Sequence, residues 1–352
     1  MSDQTTNQKP TIRDYVACWL KERLRTEFIL RPWLSARFGF TWRDVCNRID
    51  DLQSGPDGVS RFVNSRDSSY LRVAELFPEV GRRILQLAAT GYPFCLQSSA
   101  AVIGRESPDL SVIIPFAGVD RLKQLQAVLD SFDAQSQAKL EVILVQGGTA
   151  TETELHLEPG VRTIQMDEPP GSRFNKSRLF NAGVRVATAP YLLLHDADIL
   201  VPQNYVSTCV GVFQQGWDAF CPIRFLFYLS QAQTADFIRD TCVSSLSTRQ
   251  PEIRQNFAGG SVAITRKAFD QIGGFDETFE GWGGEDVEFL HRARKTKFFV
   301  GNLAPALHLW HPPAIGKSQQ HANLKLASIR IMETRAEQTV MTTSTSQMIA
   351  NE

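Results

Sequence analysis

The chain is poor in cysteine and has no pair of cysteines at the spacing of a metal or redox site. Its 352 residues contain six cysteines, all widely separated, at positions 18, 46, 95, 209, 221 and 242. Zinc ribbons and thiol redox sites need two cysteines close together in sequence, so this spacing argues against both, and no disulfide framework is indicated. We therefore expect buried thiols in a protein of a reducing compartment.

Long apolar runs and an excess of one charge are also missing. No run approaches the roughly 20 apolar residues that span a bilayer, and residues 1–10 are polar, without the apolar core of a signal peptide. The formal net charge is −1, whereas a nucleic-acid-binding domain usually carries a basic surface. These absences predict a cytoplasmic enzyme without a transmembrane segment and without a nucleic-acid partner.

A glycine-rich segment with one aromatic and two acidic residues is the most informative part of the chain. Residues 281–286 read Gly-Trp-Gly-Gly-Glu-Asp, and a helical pattern follows them. Glycines let the backbone approach a ligand closely, and Trp282 offers a flat face to a ring. A helix N-terminus stabilises an ionised carboxylate at Glu285 or Asp286, which suits a general base. An ordinary glycine turn before an acidic helical turn fits the same residues.

Two aspartates follow a short apolar run. Residues 191–195 predict a buried strand, and Asp196 and Asp198 come directly after it. Alternate residues of an extended chain project to the same side, so both carboxylates can face one hard cation such as Mg²⁺ or Mn²⁺. An acidic turn without a ligand is the alternative for this motif taken alone.

A histidine pair stands late in the chain. His308 and His311 are followed by Pro312 and Pro313, which rule out a continuing helix. The pair therefore lies at a strand end or in a loop, where neutral imidazole can bind Mn²⁺-like ions as well as Zn²⁺. No further cysteine or histidine is near, which argues against a zinc site. A solvated or buried histidine without a ligand is the alternative for each of the two.

Residues 110–313 resemble a glycosyltransferase of the GT-A fold, family 2-like, with a second half similar to the beta-1,4-galactosyltransferases and N-acetylgalactosaminyltransferases. Four motifs carry the resemblance in order: Ser111–Phe116, an initial strand; Phe174–Gly183, with the pattern Phe-Asn-x-x-x-x-x-Asn-x-Gly; Asp196–Asp198; and Gly281–Asp286. The resemblance implies an α/β fold with a Rossmann-like mixed sheet. It also implies a nucleotide sugar and a glycan acceptor as substrates.

The resemblance further implies roles for individual residues. Asp198 and His311 match metal ligands, for Mn²⁺ or Mg²⁺, and His308 falls where the galactosyltransferases have a methionine ligand. Asp286 matches the catalytic base, with Glu285 beside it. The positions that match the donor side are Pro115, Phe116, Arg121, Gln146, Lys176, Asn181, Asp196 and Trp282. The chain departs from the galactosyltransferases at residues 117–120, where Ala-Gly-Val-Asp replaces their basic run.

The chain divides near residue 105. Residues 1–105 predict a small helical accessory domain, since apolar residues recur at helical spacing from Ile12 to Leu20. The helical pattern continues over residues 41–49, and residues 73–76 through 84–87 suggest two more helices. Residues 106–335 predict the catalytic domain, in which strands alternate with helices around a mostly parallel sheet. The predicted elements include a strand at residues 110–115, a helix at residues 121–132 and a strand at residues 140–145. Residues 336–352 predict a poorly ordered tail. The aromatic and arginine residues of the first part suit packing against the catalytic domain, or else contact with a membrane surface or a partner assembly.

Together these features predict a metal-dependent inverting glycosyltransferase that moves galactose or N-acetylgalactosamine from a UDP-sugar to a glycan hydroxyl, in bacterial surface polysaccharide synthesis. A sugar-nucleotide nucleotidyltransferase is one alternative. It needs a glycine-rich basic loop after the first strand, where only Gly118 and Arg121 stand. A non-catalytic glycan-binding or assembly protein is the other, and it has no need of Asp198, Asp286 and a histidine together.

Overall fold

The described residues cover most of the predicted catalytic part and portions of what precedes it. In this computed structural model they are 11–13, 16, 19–23, 26–27, 30–39, 41–44, 48–54, 60–67, 77–96, 107–118, 120–136, 139–148, 160–167, 173–241, 243, 252–255, 259–281, 283–301, 303–312 and 320–349. Within these ranges no helix combines the length and the apolar composition that crossing a membrane requires.

The strands form a seven-stranded sheet, a four-stranded sheet and a separate hairpin. Their bounds are β1 Arg48–Ser54, β2 Ser60–Asp67, β3 Leu110–Phe116, β4 Leu140–Gly147, β5 Val161–Met166, β6 Tyr191–His195, β7 Ile199–Leu200, β8 Ala219–Phe220, β9 Ile223–Tyr228, β10 Glu252–Gln255, β11 Ser261–Thr265, β12 Phe298–Phe299 and β13 Ala304–His308. The large sheet has the order β12-β8-β11-β6-β3-β4-β5. Its neighbours are parallel except β11, which is antiparallel to β6 and β8. The predicted mixed, mostly parallel sheet is confirmed.

The helices cover both faces of the large sheet. Their bounds are α1 Pro32–Phe38, α2 Pro78–Gly91, α3 Leu122–Asp133, α4 Lys176–Val186, α5 Tyr205–Gln214, α6 Gln231–Asp240, α7 Arg266–Gln271, α8 Glu285–Ala293 and α9 Gln320–Ile349. Side chains alternate across a strand, so Val112 and Ile114 of β3 share one core with Leu125 of α3, whereas Ile113 shares the other with Leu179 of α4. This two-sided burial explains why the strands read as continuous apolar runs.

Helix α4 packs very close to the sheet at Gly183. A Cβ at this position would lie 2.3 Å from Cγ2 of Ile113 and 2.9 Å from Cγ2 of Val145. The absent side chain therefore lets the helix lie directly on β3 and β4. Because α4 follows β5 in a parallel arrangement, its N-terminus, which carries Lys176, points to the carboxyl edge of the sheet, where such folds bind their ligands.

The four-stranded sheet brings the late part of the chain to the end of β6. Its order is β10-β9-β13-β7, with β13 parallel to β9 and antiparallel to β7. Strand β7 follows β6 after only three residues. The pairing of β13 with β7 therefore places the end of β13 beside the turn between β6 and β7.

The described residues of the N-terminal part include a β-hairpin as well as helices. Strands β1 and β2, residues 48–54 and 60–67, pair antiparallel. Of the helical pattern expected over residues 41–49, the described part is a short 3₁₀ turn, Trp42–Asp44, and the start of β1 at residues 48 and 49, where the expected helix is wrong. A few apolar residues cannot distinguish a short helix from a strand. The expected helical segment at residues 73–76 lies outside the described residues.

Helix α2 shares the core of the catalytic part. Val80, Ile84 and Leu85 are buried in the same apolar cluster as residues of α3 and β13. This contact agrees with the packing interpretation of the N-terminal region. The boundary expected near residue 105 thus does not separate two hydrophobic cores among the described residues.

The C-terminal helix α9 extends into the segment 336–352 that the sequence predicts as a tail, and the poor order of that tail stays a prediction. The helix runs from Gln320 to Ile349. The segment 320–349 contains neither proline nor glycine, so nothing in it breaks a helix that starts against the catalytic part.

Candidate active site

The turn after β6 carries the two predicted aspartates. The N–H of Asp196 donates to the carbonyl of Gly260 (2.8 Å), and the N–H of Ile199 donates to the carbonyl of Asp196 (3.4 Å). From the other side, the N–H of Leu309 donates to the carbonyl of Asp198 (2.9 Å), since β13 pairs with β7 so that His308 is opposite Ile199. Strand register therefore carries the histidine pair to the aspartates.

Asp198, His308 and His311 form one cluster, in which the nearest ligand atoms all lie within 4.8 Å of one another. Nε2 of His311 is 3.2 Å from Oδ2 of Asp198, and Nε2 of His308 is 3.9 Å from Oδ1. Nη1 of Arg121 is 3.1 Å from the same Oδ2. One carboxylate and two imidazoles that converge on a point suit Mn²⁺. The three residues predicted as metal ligands thus lie together and fit such an ion.

The charges around this cluster favour an ionised Asp198. Burial alone would raise its pKa, but the hydrogen bond from His311 and the charges of His308, His311 and Arg121 outweigh burial and hold that pKa far below its usual range. The same hydrogen bond raises the pKa of His311, whereas burial lowers the pKa of His308. A metal ligand set needs a charged carboxylate and unprotonated imidazole, and Asp198 and His308 are held in those states.

Neighbouring groups orient both imidazoles. Nδ1 of His311 is 2.7 Å from the carbonyl of Pro312. A carbonyl only accepts, so Nδ1 carries a proton and Nε2 faces Asp198. The ring of His308 stacks on Tyr228, with centroids 4.3 Å apart and an interplanar angle of 18°. Tyr228 ends β9, which pairs with β13 so that the two residues stand opposite each other.

A second cluster has Lys176 at its centre. Its Nζ is 2.7 Å from Oδ1 of Asp196, 3.3 Å from Oδ2 of Asp286 and 3.7 Å from Oε1 of Glu285. Asp196 comes from the turn after β6, whereas Glu285 and Asp286 open α8. Lys176 therefore links the predicted base to the turn that carries the predicted metal ligand.

Burial and charge set the proton affinities of this second cluster. Burial raises the pKa of Asp286 to about 7, with the positive charge of Lys176 opposing the shift and the charges of Glu285 and Asp196 adding to it. Burial alone would lower the pKa of Lys176, but the three carboxylates raise it well above its usual value. The lysine therefore stays charged while Asp286 exchanges its proton near neutral pH, as an efficient general base requires.

The glycine segment holds α8 in place. Gly281 donates its N–H to the carbonyl of Phe174 (2.8 Å), at the start of α4. Gly284 precedes α8 with φ of 93°, a conformation that side chains rarely adopt. A Cβ on Gly284 would lie 2.6 Å from the carbonyl oxygen of Asn323 in α9. Trp282 lies outside the described residues, and its contact with a sugar stays a prediction.

The residues predicted on the donor side fall into different places. Pro115 and Phe116 end β3, and Gln146 stands opposite Phe116 on β4, so these three share the carboxyl edge of the sheet. Arg121 contacts Asp198, and Lys176 contacts three carboxylates; the contacts of both with a donor stay a prediction. Asn181 is engaged elsewhere: its amide donates to the carbonyl of Phe275 (3.0 Å) and accepts from the N–H of the same residue (2.9 Å).

Two residues of the site are absent from the sequence prediction. Tyr228 lies in a segment, 221–257, whose sequence offers no motif, and only the strand pairing brings it to His308. His195 belongs to the predicted strand, but its side chain points into the core, where it is fully buried. Its position directly before the two aspartates was the available signal for a role at the turn.

Comparison with known proteins agrees with this geometry. The model of the family described as glycosyl transferase family 2 matches residues 111–273. A second model, described as the N-terminal domain of galactosyltransferase, matches residues 242–309. The two matches together span both charged clusters except His311.

Similar individual proteins are also sugar transferases by name. Chondroitin sulfate N-acetylgalactosaminyltransferase 2 of Homo sapiens is 30% identical over 200 residues, which are 54% of this chain and 34% of the relative. Polypeptide N-acetylgalactosaminyltransferase 3 of Drosophila melanogaster is 31% identical over 147 residues, 41% of this chain and 19% of the relative. Beta-1,4-galactosyltransferase 4 of Homo sapiens is 24% identical over 161 residues, 43% of this chain and 40% of the relative.

The aligned regions thus span about a third of the first of these relatives, and the two family matches cover the part of the chain that holds the large sheet and both clusters apart from His311. The mixed α/β sheet, the order of the motifs and the two family matches agree with one another. Over this region the chain is similar to family 2 glycosyltransferases and, in its second half, to galactosyl- and N-acetylgalactosaminyltransferases, and its mixed α/β sheet agrees with a GT-A fold.

Proposed function

We propose that the protein catalyses metal-dependent, inverting transfer of galactose or N-acetylgalactosamine from a UDP-sugar to a hydroxyl group of a glycan. The observation that carries this proposal is the linkage of two clusters through one turn. Asp198, with two histidines, offers a metal site, and Asp196, two residues away, shares Lys176 with Asp286 (2.7 and 3.3 Å). Sugar transfer needs a metal site for the leaving diphosphate next to a base for the attacking hydroxyl, because both groups react at the same anomeric carbon.

The first cluster would hold the donor. Asp198, His308 and His311 would bind Mn²⁺ or Mg²⁺, which when bound supplies positive charge that neutralises the diphosphate leaving group. Arg121, 3.1 Å from Asp198, would add a guanidinium suited to phosphate oxygens. Phe116 and Gln146 at the adjoining strand ends would contact the nucleoside.

The second cluster would activate the acceptor. Asp286 would take the proton of the acceptor hydroxyl as that oxygen attacks the anomeric carbon, while the bond from this carbon to the diphosphate oxygen breaks. Attack from the face opposite the leaving group inverts the anomeric configuration. Lys176 stabilises the ionised form of Asp286 before the reaction, and the diphosphate departs towards the first cluster.

Glu285 would bind a sugar hydroxyl. Its side chain is buried (7% exposed), and Oε2 has no hydrogen-bond partner among the described residues. A buried carboxylate oxygen without a donor is unfavourable, so a hydroxyl that enters the site would satisfy it. This contact would position a substrate for Asp286 without itself removing the proton.

The donor and the pathway are inferred from the names of the relatives and from the resemblance of the motifs. The relatives are named for galactosyl and N-acetylgalactosaminyl transfer, which supports a UDP-sugar of that type. We propose a cytoplasmic role in building a bacterial surface polysaccharide.

A panel of nucleotide sugars tests the proposal. Purified protein with Mn²⁺ and each donor, with and without glycan acceptors, is assayed for release of the nucleoside diphosphate. We expect release from UDP-galactose or UDP-N-acetylgalactosamine, loss in excess chelator and recovery with Mn²⁺. Nuclear magnetic resonance of the product reports the anomeric configuration. Full activity in chelator, or a product with retained configuration, would contradict the metal or the inverting part, respectively.

We further infer contact with an anionic membrane through the first described residues. Trp19, Leu20, Trp33 and Phe38 expose 48, 59, 64 and 55% of their surface, and Arg37 between them is exposed as well. Aromatic and cationic side chains exposed together are typical of segments that bind at the bilayer interface. Such contact would hold the enzyme at the inner face of the cell membrane.

Co-sedimentation with vesicles tests the membrane contact. The full chain should bind vesicles that contain anionic lipid at low salt and release at high salt, since ions screen the arginine charges. Trp33→Ser should weaken binding, whereas Leu87→Ser, which changes a partly exposed leucine of α2, should not. Equal binding by neutral and anionic vesicles would contradict the arginine contribution, and no binding would contradict the contact.

A further inference from the structure

A buried chain of hydrogen bonds ends at the turn after β6. The hydroxyl of Tyr205 donates to Oγ of Ser261 (2.7 Å), Oγ of Ser261 is 3.0 Å from Nδ1 of His195, and Nε2 of His195 is 2.7 Å from the carbonyl oxygen of Ile199. Tyr205, Ser261 and His195 are each at most 1% exposed. The three side chains come from α5, β11 and β6.

The acceptor at the end of the chain fixes every proton in it. The carbonyl of Ile199 can only accept, so Nε2 of His195 carries a proton and donates. In a neutral imidazole Nδ1 is then an acceptor. The hydroxyl of Ser261 donates a hydrogen bond to Nδ1, and Oγ of Ser261 accepts one from the hydroxyl of Tyr205. All three side chains are thereby satisfied with one arrangement, which is the condition under which a buried polar network specifies a single geometry.

The histidine spans the turn that presents the aspartates. It directly precedes Asp196, and its ring reaches forward to Ile199, the residue after Asp198. The N–H of Ile199 donates to the carbonyl of Asp196, so both backbone groups of Ile199 are held. The ring of Phe132 packs edge-to-face against the imidazole, with centroids 5.0 Å apart, and this contact helps to fix the orientation of the ring.

We propose that His195 is a positioning residue that holds the Asp196–Asp198 turn in the geometry for metal binding. The inference rests on the proposed function of Asp198 as a metal ligand. His195 is not one of the three clustered residues, Asp198, His308 and His311. It acts through the backbone of the turn, by its hydrogen bond to the carbonyl of Ile199. Partners of this kind commonly change metal affinity by about 10- to 100-fold when they are removed.

Two substitutions separate the two nitrogens of the ring. Glutamine reaches about as far as Nε2 and can donate to the carbonyl of Ile199, whereas asparagine reaches only as far as Nδ1 and leaves that carbonyl without its donor. We expect H195Q to bind Mn²⁺ within about 3-fold of the natural chain. We expect H195N to bind it at least about 10-fold more weakly. Mn²⁺ binding is measured directly on the full chain by electron paramagnetic resonance of the free ion.

Ser261→Ala tests the chain without changing the histidine. It removes the hydroxyl that donates to Nδ1 of His195 and helps to hold the ring, so we expect weaker Mn²⁺ binding by several-fold with the chain still folded. Ser131→Ala is the matched control: Ser131 is equally buried, but its hydroxyl donates within α3 to the carbonyl of Val128. It should leave Mn²⁺ affinity unchanged.

Failure of this proposal is distinguishable from failure of the proposed function. If the natural chain does not bind Mn²⁺, the metal function of Asp198 is contradicted. If the natural chain binds Mn²⁺ and H195N and Ser261→Ala bind it equally well, the role of His195 is contradicted. Loss of thermal stability with unchanged Mn²⁺ affinity would likewise reduce His195 to a residue of the core and overturn the proposal. Should H195N not fold, the Ser261→Ala and Ser131→Ala pair decides.

Discussion

The two charged clusters at the carboxyl edge of the sheet have opposite compositions. In the first, a single carboxylate, Asp198, is surrounded by two histidines and Arg121. In the second, a single cation, Lys176, is surrounded by three carboxylates. The consequence is a pKa of Asp198 far below its usual range and a pKa of Asp286 raised to about 7. Two aspartates at one site are thus prepared for different chemistry by their neighbours.

The clusters also differ in how the backbone holds them. The first depends on strand register, because β13 must pair with β7 for the histidines to reach Asp198. The second depends on a glycine turn, because α8 begins only after residues with positive φ. A mutation that weakens one scaffold should therefore spare the other. Each of the following predictions separates the two clusters by this difference.

The largest effect is expected for Asp286→Asn. Asparagine keeps the size of the side chain but cannot accept a proton at neutral pH, so the transfer rate should fall on the order of 10²–10⁴-fold. Binding of Mn²⁺ should stay unchanged, since Asp286 does not belong to the first cluster. Steady-state kinetics measure the transfer rate, and Mn²⁺ titration measures the affinity for the ion. Asp270→Asn, at an exposed aspartate of α7, is the control; a normal rate in Asp286→Asn would assign the base elsewhere, with Glu285 next.

Asp198→Asn should have the complementary effect. The amide removes the negative charge of the first cluster and should weaken Mn²⁺ binding by about 100-fold. The apparent pKa of the base should change little, because Asp198 contacts histidines and not Lys176. The Mn²⁺ dose dependence of activity provides the measurement. Unchanged dependence would show that the ion binds away from Asp198.

Gly284→Ala tests the glycine scaffold. Its Cβ would lie 2.6 Å from the carbonyl oxygen of Asn323, on backbone that cannot easily move aside. We expect a loss of about 2 kcal/mol in the free energy of unfolding, with lower activity and normal Mn²⁺ affinity. Gly216→Ala is matched, with φ of +88° but no atom within 4 Å of the new Cβ. It isolates the backbone strain, so equal losses in the two variants would contradict the contact with α9.

The smallest effect is a shift in the pH profile. Asp286 must be ionised to accept a proton, so kcat/KM should rise with pH through about 7 and level off above it. In Lys176→Met the positive charge that favours ionisation is lost, so the midpoint should move up by about one pH unit. Lys267→Met, at an exposed lysine of α7, should leave the profile unchanged. A midpoint that stays the same, or falls, in Lys176→Met would contradict the pairing.

Much of the central fold was predictable because its signals are local. Strands β3, β4 and β6 are short apolar runs buried on both faces, and helices α3, α4 and α8 begin within a residue or two of where the periodicity places them. The error lies where local signals are weak. Over the nine residues from 41 to 49, periodicity alone does not distinguish a helix from a strand.

The reactive residues of the candidate site could be picked out from the sequence, but the residues that contact them could not. Asp198, Asp286 and the histidine pair stand in short motifs, so chemistry and spacing singled them out. Tyr228 stands in no motif and reaches His308 only through the pairing of β9 with β13. Lys176 was predicted on the donor side, and nothing in the sequence indicated its three carboxylate neighbours, which come from two other parts of the chain.

The order of strands and helices, the buried faces and the reactive residue types thus follow from the chain as written, because periodicity and side-chain chemistry act over a few neighbouring residues. The tertiary structure decides which of these residues contact one another and what pKa each titratable group has. Strand register, the close approach of α4 at Gly183 and the burial of Asp286 depend on contacts between distant segments. A pKa depends on the charges and water within a few ångströms of the group, and sequence separation does not measure that distance.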